Sequence, residues 1–329
     1  ARVVVKDEAR NLSGSLKDRA SAVGVTLAIA AGRPAIACAS TGNAAASTAT
    51  LAAASGLPAV VLIPSSTSAG KLAQLKVCGA VVGRVDAPYD DVWELSSVLA
   101  RRAGWLDRNC AINPYLVEGK KTAGLELAEQ LGADITDWVA VGVGDGCTLA
   151  GVARGLEEAE RLGVIPRRPR LLGVQPTGVQ PIVRAYREGL APRTSTPETL
   201  ADGLNVGHPR NAMKALRALT ELGGEMIAVD DDAIVDAIGW TARHSGVWPE
   251  PAAAAAFAGV AAARATGCIA AGESVCIINT GAGLKDPGVI ERVGAPADPV
   301  DLSTDVEDAL HRLSRVVATP AFRGDGALQ

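Results

Sequence analysis

Aromatic residues make up only 3% of this 329-residue chain, and histidine occurs three times, at His208, His244 and His311. With so few rings, Ala, Val, Leu and Ile must fill the core, and a hydrophobic share of 48% suffices for that. The histidines stand far apart with no second ligand at metal spacing, so no dedicated metal site is expected. The six cysteines, Cys38, Cys78, Cys110, Cys147, Cys268 and Cys276, form no CxxC pair, and several lie in apolar runs that read as core. Reduced thiols of a cytoplasmic protein are expected. Long hydrophobic runs are lacking too. The stretch from Ala252 to Ala263 is alanine-rich and closed by Pro251 and Arg264, too short and weakly apolar to cross a membrane. Neither sign of charge dominates, with a formal net charge of −4, which argues against nucleic acid as a partner and favours a small metabolite. An initiating Met is absent: the chain opens on Ala1 and a β-like run, Val3 to Val5, so part of the natural N-terminal region is expected to be missing.

What is present is an alternation of short apolar runs with alanine-rich helical stretches, the pattern of parallel β/α units. Ala35 to Ala39, Ala59 to Ile63, Trp138 to Val143, Leu171 to Gln175 and Val275 to Ile278 read as strands covered on both faces. Ser68 to Val77, Val92 to Ala103, Thr122 to Leu131, Ala150 to Leu162 and Asp231 to Ser245 read as helices. The expected fold class is α/β, three-layered, with open and mostly parallel sheets. Pro192 to Pro197 and Gly203 to Arg210 read as long loops over the surface or over a cleft, and Asp305 to Val317 as an amphipathic helix that docks on the body or on a second subunit.

In such sheets small ligands bind at the carboxyl ends of strands, where helix N-termini point at them. Three loops fall there. Ser40-Thr41-Gly42-Asn43 leads into the helix Ala44 to Ser55, and its hydroxyls and open amides suit a carboxylate; the same residues also make a good N-cap. Gly144-Asp145-Gly146-Cys147-Thr148 leads into a helix from about Leu149, and glycine amides converging on a helix start can cradle a phosphate. No Gly-Lys-Ser/Thr follows, which excludes a nucleotide P-loop, and a dinucleotide fingerprint is weak. Asn279-Thr280-Gly281-Ala282-Gly283 presents a hydroxyl that can meet a heteroaromatic nitrogen, or is simply a turn of small residues. Nearer the start, Ser13-Gly14-Ser15-Leu16-Lys17-Asp18-Arg19 puts Lys17 at the head of a helix, where the dipole disfavours its charge and lowers its pKa. An ordinary solvated lysine is the alternative.

Taken in order, SGSLKDR, STGN, GDGCT and NTGAGLKD resemble the threonine synthase branch of the fold-type II pyridoxal phosphate enzymes, over about Lys6 to Glu291. The resemblance implies two three-layer αβα domains with pyridoxal 5'-phosphate in the cleft between them. Residues 20–135 would form the smaller domain, 1–19 with 136–300 the larger, and 301–329 a helical tail. It implies that Lys17 holds the cofactor as a Schiff base, that Asn43 bonds its 3-hydroxyl, that Thr280 meets its pyridine nitrogen, and that Gly144, Asp145, Gly146, Cys147 and Thr148 cradle its phosphate. Ser40, Thr41, Gly42 and Asn43 would receive the substrate carboxylate, and Glu250 would face the cofactor ring. The expected activity is elimination or replacement at Cβ or Cγ of a small amino acid by a homodimeric lyase.

Departures from the branch concern the anion of O-phosphohomoserine. Threonine synthases often have Thr where this chain has Ala44, Asn-Ser where it has Cys110 and Ala111, Arg at Leu116, and Asn at Asp145, whose carboxylate would repel an anion. Either the substrate differs or other cations such as Lys120 supply the site. Competing readings are a serine or threonine dehydratase-like ammonia-lyase, a non-catalytic cofactor or amino-acid binding protein, and a nucleotide-dependent oxidoreductase built on the Gly144 loop.

Overall fold

The computed structural model describes residues 2–67, 69–293 and 299–317. Two compact units are present, one ending at Pro287 and one beginning at Gly288. In the first, strands and helices alternate: β1 (Val3–Asp7), α1 (Lys17–Ala30), β2 (Ile36–Ala39), α2 (Asn43–Ala54), β3 (Ala59–Pro64), α3 (Ala69–Val77), β4 (Val81–Val85), α4 (Tyr89–Ala103), β5 (Leu106–Asp107) and α5 (Tyr115–Leu131). There follow β6 (Trp138–Gly142), α6 (Cys147–Arg161), β7 (Arg170–Pro176), α7 (Pro181–Glu188), α8 (Ala212–Leu222), β8 (Glu225–Val229), α9 (Asp231–Ser245), α10 (Pro251–Ala265) and β9 (Val275–Asn279).

Two open parallel sheets result, ordered β1-β9-β6-β7-β8 and β4-β3-β2-β5. The expected α/β class with open, parallel sheets is what the chain adopts. Strand β6 illustrates the two-faced burial. Val139, Val141 and Val143 face a core shared with Leu127 of α5, Leu156 of α6 and Leu219 of α8. On its other side Gly142 lies so close to α10 that a Cβ there would stand 2.4 Å from the Ala252 carbonyl oxygen. A sheet clad in this way needs apolar side chains at every position, which explains the continuous runs in the sequence.

The amino-terminal segment is fixed by charge. Glu8 is 2% exposed and accepts from Arg19 Nε at 2.6 Å and Nη2 at 2.7 Å, while Glu126 on α5 accepts from Lys6 Nζ at 2.5 Å and Arg19 Nη2 at 2.6 Å. This network ties β1, the start of α1 and α5 together, and thereby sets where Lys17 enters the molecule. The second unit contains α11 (Ile290–Val293) and α12 (Val306–Val317), on which Val306, Leu310, Leu313 and Val317 stay exposed at helical spacing. No helix among the described residues is long and apolar enough to cross a membrane, and none of their acidic, histidine or cysteine side chains gather into a metal-binding group.

Candidate active site

The loops that leave β2, β3, β5, β6 and β9 at their carboxyl ends converge on one cavity of about 780 Å³. Lys17, Ser40, Thr41, Gly42, Asn43, Gly144, Asp145, Gly146, Cys147, Thr148 and Thr280 all line it, so residues chosen from four separate motifs meet in space.

Lys17 is the first residue of α1. The turn before it is closed by Asp18, whose carboxylate accepts from Ser13 N at 2.6 Å and Ser13 Oγ at 2.5 Å. Leu16 N donates to the Thr280 carbonyl at 2.9 Å and Ala282 N to that of Gly14 at 3.0 Å, so the Lys17 and Thr280 loops are joined by backbone. Glu250 N in turn donates to the Gly281 carbonyl at 3.0 Å, and the buried Glu250 carboxylate accepts from Asn43 Nδ2 at 2.7 and 2.8 Å. A continuous hydrogen-bonded chain therefore runs from the lysine to the loop after β2. The amide of Asn43 is engaged by Glu250, a contact that sequence reading did not foresee. Burial raises the Glu250 carboxyl above its usual pKa, opposed by the Asn43 bond and by the Lys17 and Lys285 charges.

The Lys17 amine is held at a pKa of about 8. Burial is the main cause, followed by repulsion from Lys120; Arg108 adds to the lowering and the Cys110 and Cys147 sulfurs oppose it. The sequence argument assigned this shift to the helix dipole; in the structure desolvation and neighbouring cations lower it.

The glycine loop is packed from behind. A Cβ on Gly144 would lie 2.8 Å from the Gly203 carbonyl oxygen, and Gly146, at φ +92°, would meet the Asn211 carbonyl oxygen at 2.9 Å. Only glycine tolerates both the positive φ and the approach. Helix α6 begins at Cys147, two residues earlier than expected, and among the described residues the amides from Gly144 to Leu149 donate to no other group. Helix α2 likewise begins at Asn43, and the amides of Ala44 and Ala45 are open. Two helix starts thus offer donors to anions within one cavity, and the first can hold a phosphate without any side chain. The Asp145 carboxylate accepts from Asn211, through N at 3.3 Å and Nδ2 at 2.5 Å; burial raises its pKa and these bonds oppose the rise.

Sequence reading missed Arg108, which follows the two-residue strand β5 and is only 3% exposed on the cavity wall. It read several cysteines as core. Cys38, Cys147 and Cys276 are buried, the first two beside the cavity, and the half-buried Cys110 borders it as well, where its sulfur accepts from Arg108 Nη1 at 3.4 Å and Lys120 Nζ at 3.5 Å. A hydrogen bond from Cys147, with the charges of Lys120, Arg108 and Lys17, holds the Cys110 thiol well below its ordinary pKa against the cost of burial. The expected loops of 192–210 line the cleft through Thr194, Asn205 and His208.

A half-buried lysine of lowered pKa that shares one cavity with two helix starts of open amides defines a class of enzyme, and comparison with known proteins gives the same class. The Pyridoxal-phosphate dependent enzyme family matches residues 1–281. The chain belongs to that family, in its threonine synthase-like branch, and pyridoxal phosphate is its cofactor. It is 39% identical over 306 residues to the threonine synthase of Methanocaldococcus jannaschii, covering 92% of this chain and 75% of that one. It is also 38% identical over 307 residues to the threonine synthase of Methanosarcina acetivorans, covering 92% and 76%. Among solved structures, maize serine racemase superposes with a TM-score of 0.74 at 24% identity, covering 95% of this chain and 88% of that one. Processed threonine deaminase isoform 2 from Solanum lycopersicum gives 0.75 at 23% identity, covering 88% and 82%. These last two similarities describe the fold.

Proposed function

We propose that the protein is a lyase of the threonine synthase type, eliminating or replacing a group at Cβ or Cγ of a small amino acid, with Lys17 as its catalytic residue. The observation that carries this reading is the placement of Lys17, with its pKa of about 8, in the same cavity as two open helix starts. The four-stranded sheet and its helices, within 20–135, form the smaller domain, and 1–19 with 136–300 the larger. Residues 144–148 hold the cofactor phosphate, and Asn43 and Thr280 face its ring. Bound there, the cofactor supplies an electron sink that acidifies Cα.

The protein's own groups do the rest. The amides at the start of α2, with Ser40 and Thr41, fix the substrate carboxylate and so orient Cα. Near neutral pH a usable fraction of Lys17 is uncharged, and its Nζ removes the Cα proton and returns it to the departing group. Glu250 keeps the loop after β2 in register through Asn43. The six free cysteines agree with a cytoplasmic enzyme, and the exposed stripe of α12 with a homodimer.

The resemblance sets Cys110, Ala111 and Leu116 where threonine synthases commonly show Asn-Ser and a downstream Arg, so either the leaving group is not the phosphate of O-phosphohomoserine or other cations such as Lys120 supply its site. Incubating the cofactor-loaded protein with O-phosphohomoserine, L-serine and L-threonine, and assaying phosphate and keto acid, tests this. Phosphate release at common enzyme rates, on the order of 10 per second, would defeat the altered-substrate reading. Keto acid from L-serine or L-threonine without a second reactant would make the enzyme a dehydratase-like ammonia-lyase instead.

The lowered lysine pKa predicts a further result. Cofactor aldehyde combines with a neutral amine, so uptake of cofactor by the cofactor-free protein should accelerate with pH around a midpoint of about 8 instead of the 10.5 of an ordinary lysine. Stopped-flow absorbance at a series of pH values measures it.

A further inference from the structure

Cys110, on the segment after β5, and Cys147, the first residue of α6, both stand on the cavity wall, and their thiols are hydrogen-bonded to each other. All six cysteines are free, but this pair is unlike the other four. Cys38 and Cys276 are buried, which pushes their thiols up to about 11 and about 12, and Cys78 and Cys268 do not line the cavity. Around Cys110 the balance runs the other way. Its sulfur accepts from Arg108 Nη1 at 3.4 Å and from Lys120 Nζ at 3.5 Å, and both of those cations are 3% exposed. The Cys147 hydrogen bond, with the charges of Lys120, Arg108 and Lys17, outweighs the cost of burying a thiolate there. Cys147 is pushed upward by the same hydrogen bond and by its own burial, so it keeps its proton. The cavity wall therefore holds a thiolate and a protonated thiol in contact, the pairing of nucleophile and resolving partner found in redox-sensitive cysteines. No step of the lyase chemistry uses either sulfur.

We propose that Cys110 and Cys147 form an oxidation site, at which a peroxide converts the two thiols to a disulfide joining the segment after β5 to the loop at the head of α6. The Cys110 sulfur attacks one peroxide oxygen, the O–O bond breaks, and the other oxygen leaves as hydroxide beside the Lys120 and Arg108 charges, taking a proton from solvent. The Cys147 sulfur then attacks the resulting sulfenic acid; the S–O bond breaks and that oxygen departs with the Cys147 proton as water. In sum, two thiols give up two electrons and one peroxide becomes two waters. Reduced, the pair is an anion held between two buried cations; oxidised, it is neutral and bridges two segments of the cavity wall. The change in charge falls beside Lys17, whose amine both sulfurs and both cations already influence, so the bond alters the surroundings of whatever Lys17 holds.

Exposing the cofactor-loaded protein to a small excess of hydrogen peroxide, then unfolding it and counting thiols, tests the proposal. Two of the six thiols should disappear, and non-reducing tryptic mapping should show the Cys110 and Cys147 peptides joined. The visible spectrum of the bound cofactor should change in step with the loss of thiols, and a phosphine reductant should restore both. The charged and titratable groups around Cys110 are Lys17 of α1, Cys38 of β2, Arg108, Lys120 of α5, Asp145 and Cys147. Lys120 and Arg108 keep their charge, so between about pH 6 and pH 8 the rate of thiol loss should change by less than about threefold, whereas a thiol of pKa about 8.5 would gain about 75-fold. Cys147→Ser should stop the reaction at a Cys110 sulfenic acid that dimedone traps, and Cys110→Ser should slow thiol loss at least about tenfold. The mapping of the parent needs no variant to fold. Six thiols surviving the treatment, loss of Cys78 or Cys268 ahead of Cys110, or oxidised Cys110 beside a free Cys147 would each overturn the site and leave the lyase reading standing. A disulfide that forms without moving the cofactor spectrum would overturn its hold on the surroundings of Lys17.

Discussion

Replacing Lys17 with alanine is expected to lower turnover by about 1000-fold or more, because one amine both anchors the cofactor and moves the Cα proton. The same substitution should not weaken the fold. A lysine whose folded pKa of about 8 lies below the 10.5 of the unfolded chain binds its proton less well when folded. That charge is therefore a cost to stability at every pH below about 8, and the cost disappears only as pH rises through 10.5. Alanine removes it at pH 7. The urea midpoint of the cofactor-free variant should accordingly match or exceed that of the parent. Borohydride treatment followed by tryptic mapping should place the cofactor on the Lys17 peptide of the parent and on no peptide of the variant. A variant that keeps turnover, or one that loses turnover together with several tenths molar of urea midpoint, would move Lys17 from chemistry to structure.

The interior of the fold was legible because it is clad on both sides. The strands read from the sequence, from Ala35 to Ile278, are runs of buried residues, as in β2, β6 and β9, broken only at half-buried Val60 of β3. The strands that escaped notice are edges. β4 carries exposed Val81 and Arg84 with Gly83 between them, β8 has only Met226 and Val229 buried, and β5 is two residues long. Half-covered edges lack the continuous apolar signal, and local propensity says little without their neighbours. The site followed the same division. Lys17, the loop after β2 and the glycine loop are recognisable because backbone geometry demands particular residues there, such as glycine at the positive φ of Gly146. Arg108, Lys120 and Cys110 obey no local rule. Arg108 and Cys110 are two residues apart and Lys120 lies ten further on, in α5, and nothing in that spacing discloses a shared cavity wall. The Asn211 bonds to Asp145 are also tertiary, so the sequence around Asp145 does not disclose them.

The packing of α5 against α6 yields the second large effect. Helices α5 and α6 touch at backbone distance: a Cβ on Gly124 would stand 2.4 Å from the Val152 carbonyl oxygen, and one on Gly155 2.3 Å from that of Lys121. Neither obstacle is a flexible side chain, so the helices themselves must part to admit one. Gly155→Val should destabilise the protein by about 3 kcal/mol, the upper part of the range for an overpacked core. That is a large fraction of the roughly 5 to 15 kcal/mol available to a folded domain. The effect should reach the site, because Lys120 lies on the same seam, where its Cβ would be only 2.7 Å from a Cβ on Gly151. Moving α6 off α5 displaces Lys120 from the loop at the head of α6, and cofactor retention should fall along with the urea midpoint. Arg154→Val is the matching control. It puts the same β-branched side chain on the exposed face of α6 and gives up only surface ion pairs with Glu118 and Glu158, so it should cost about 1 kcal/mol or less. If the two variants unfolded at one urea concentration with equal slopes, the close approach of α5 and α6 would carry no stability, and the placement of Lys120 would need another cause.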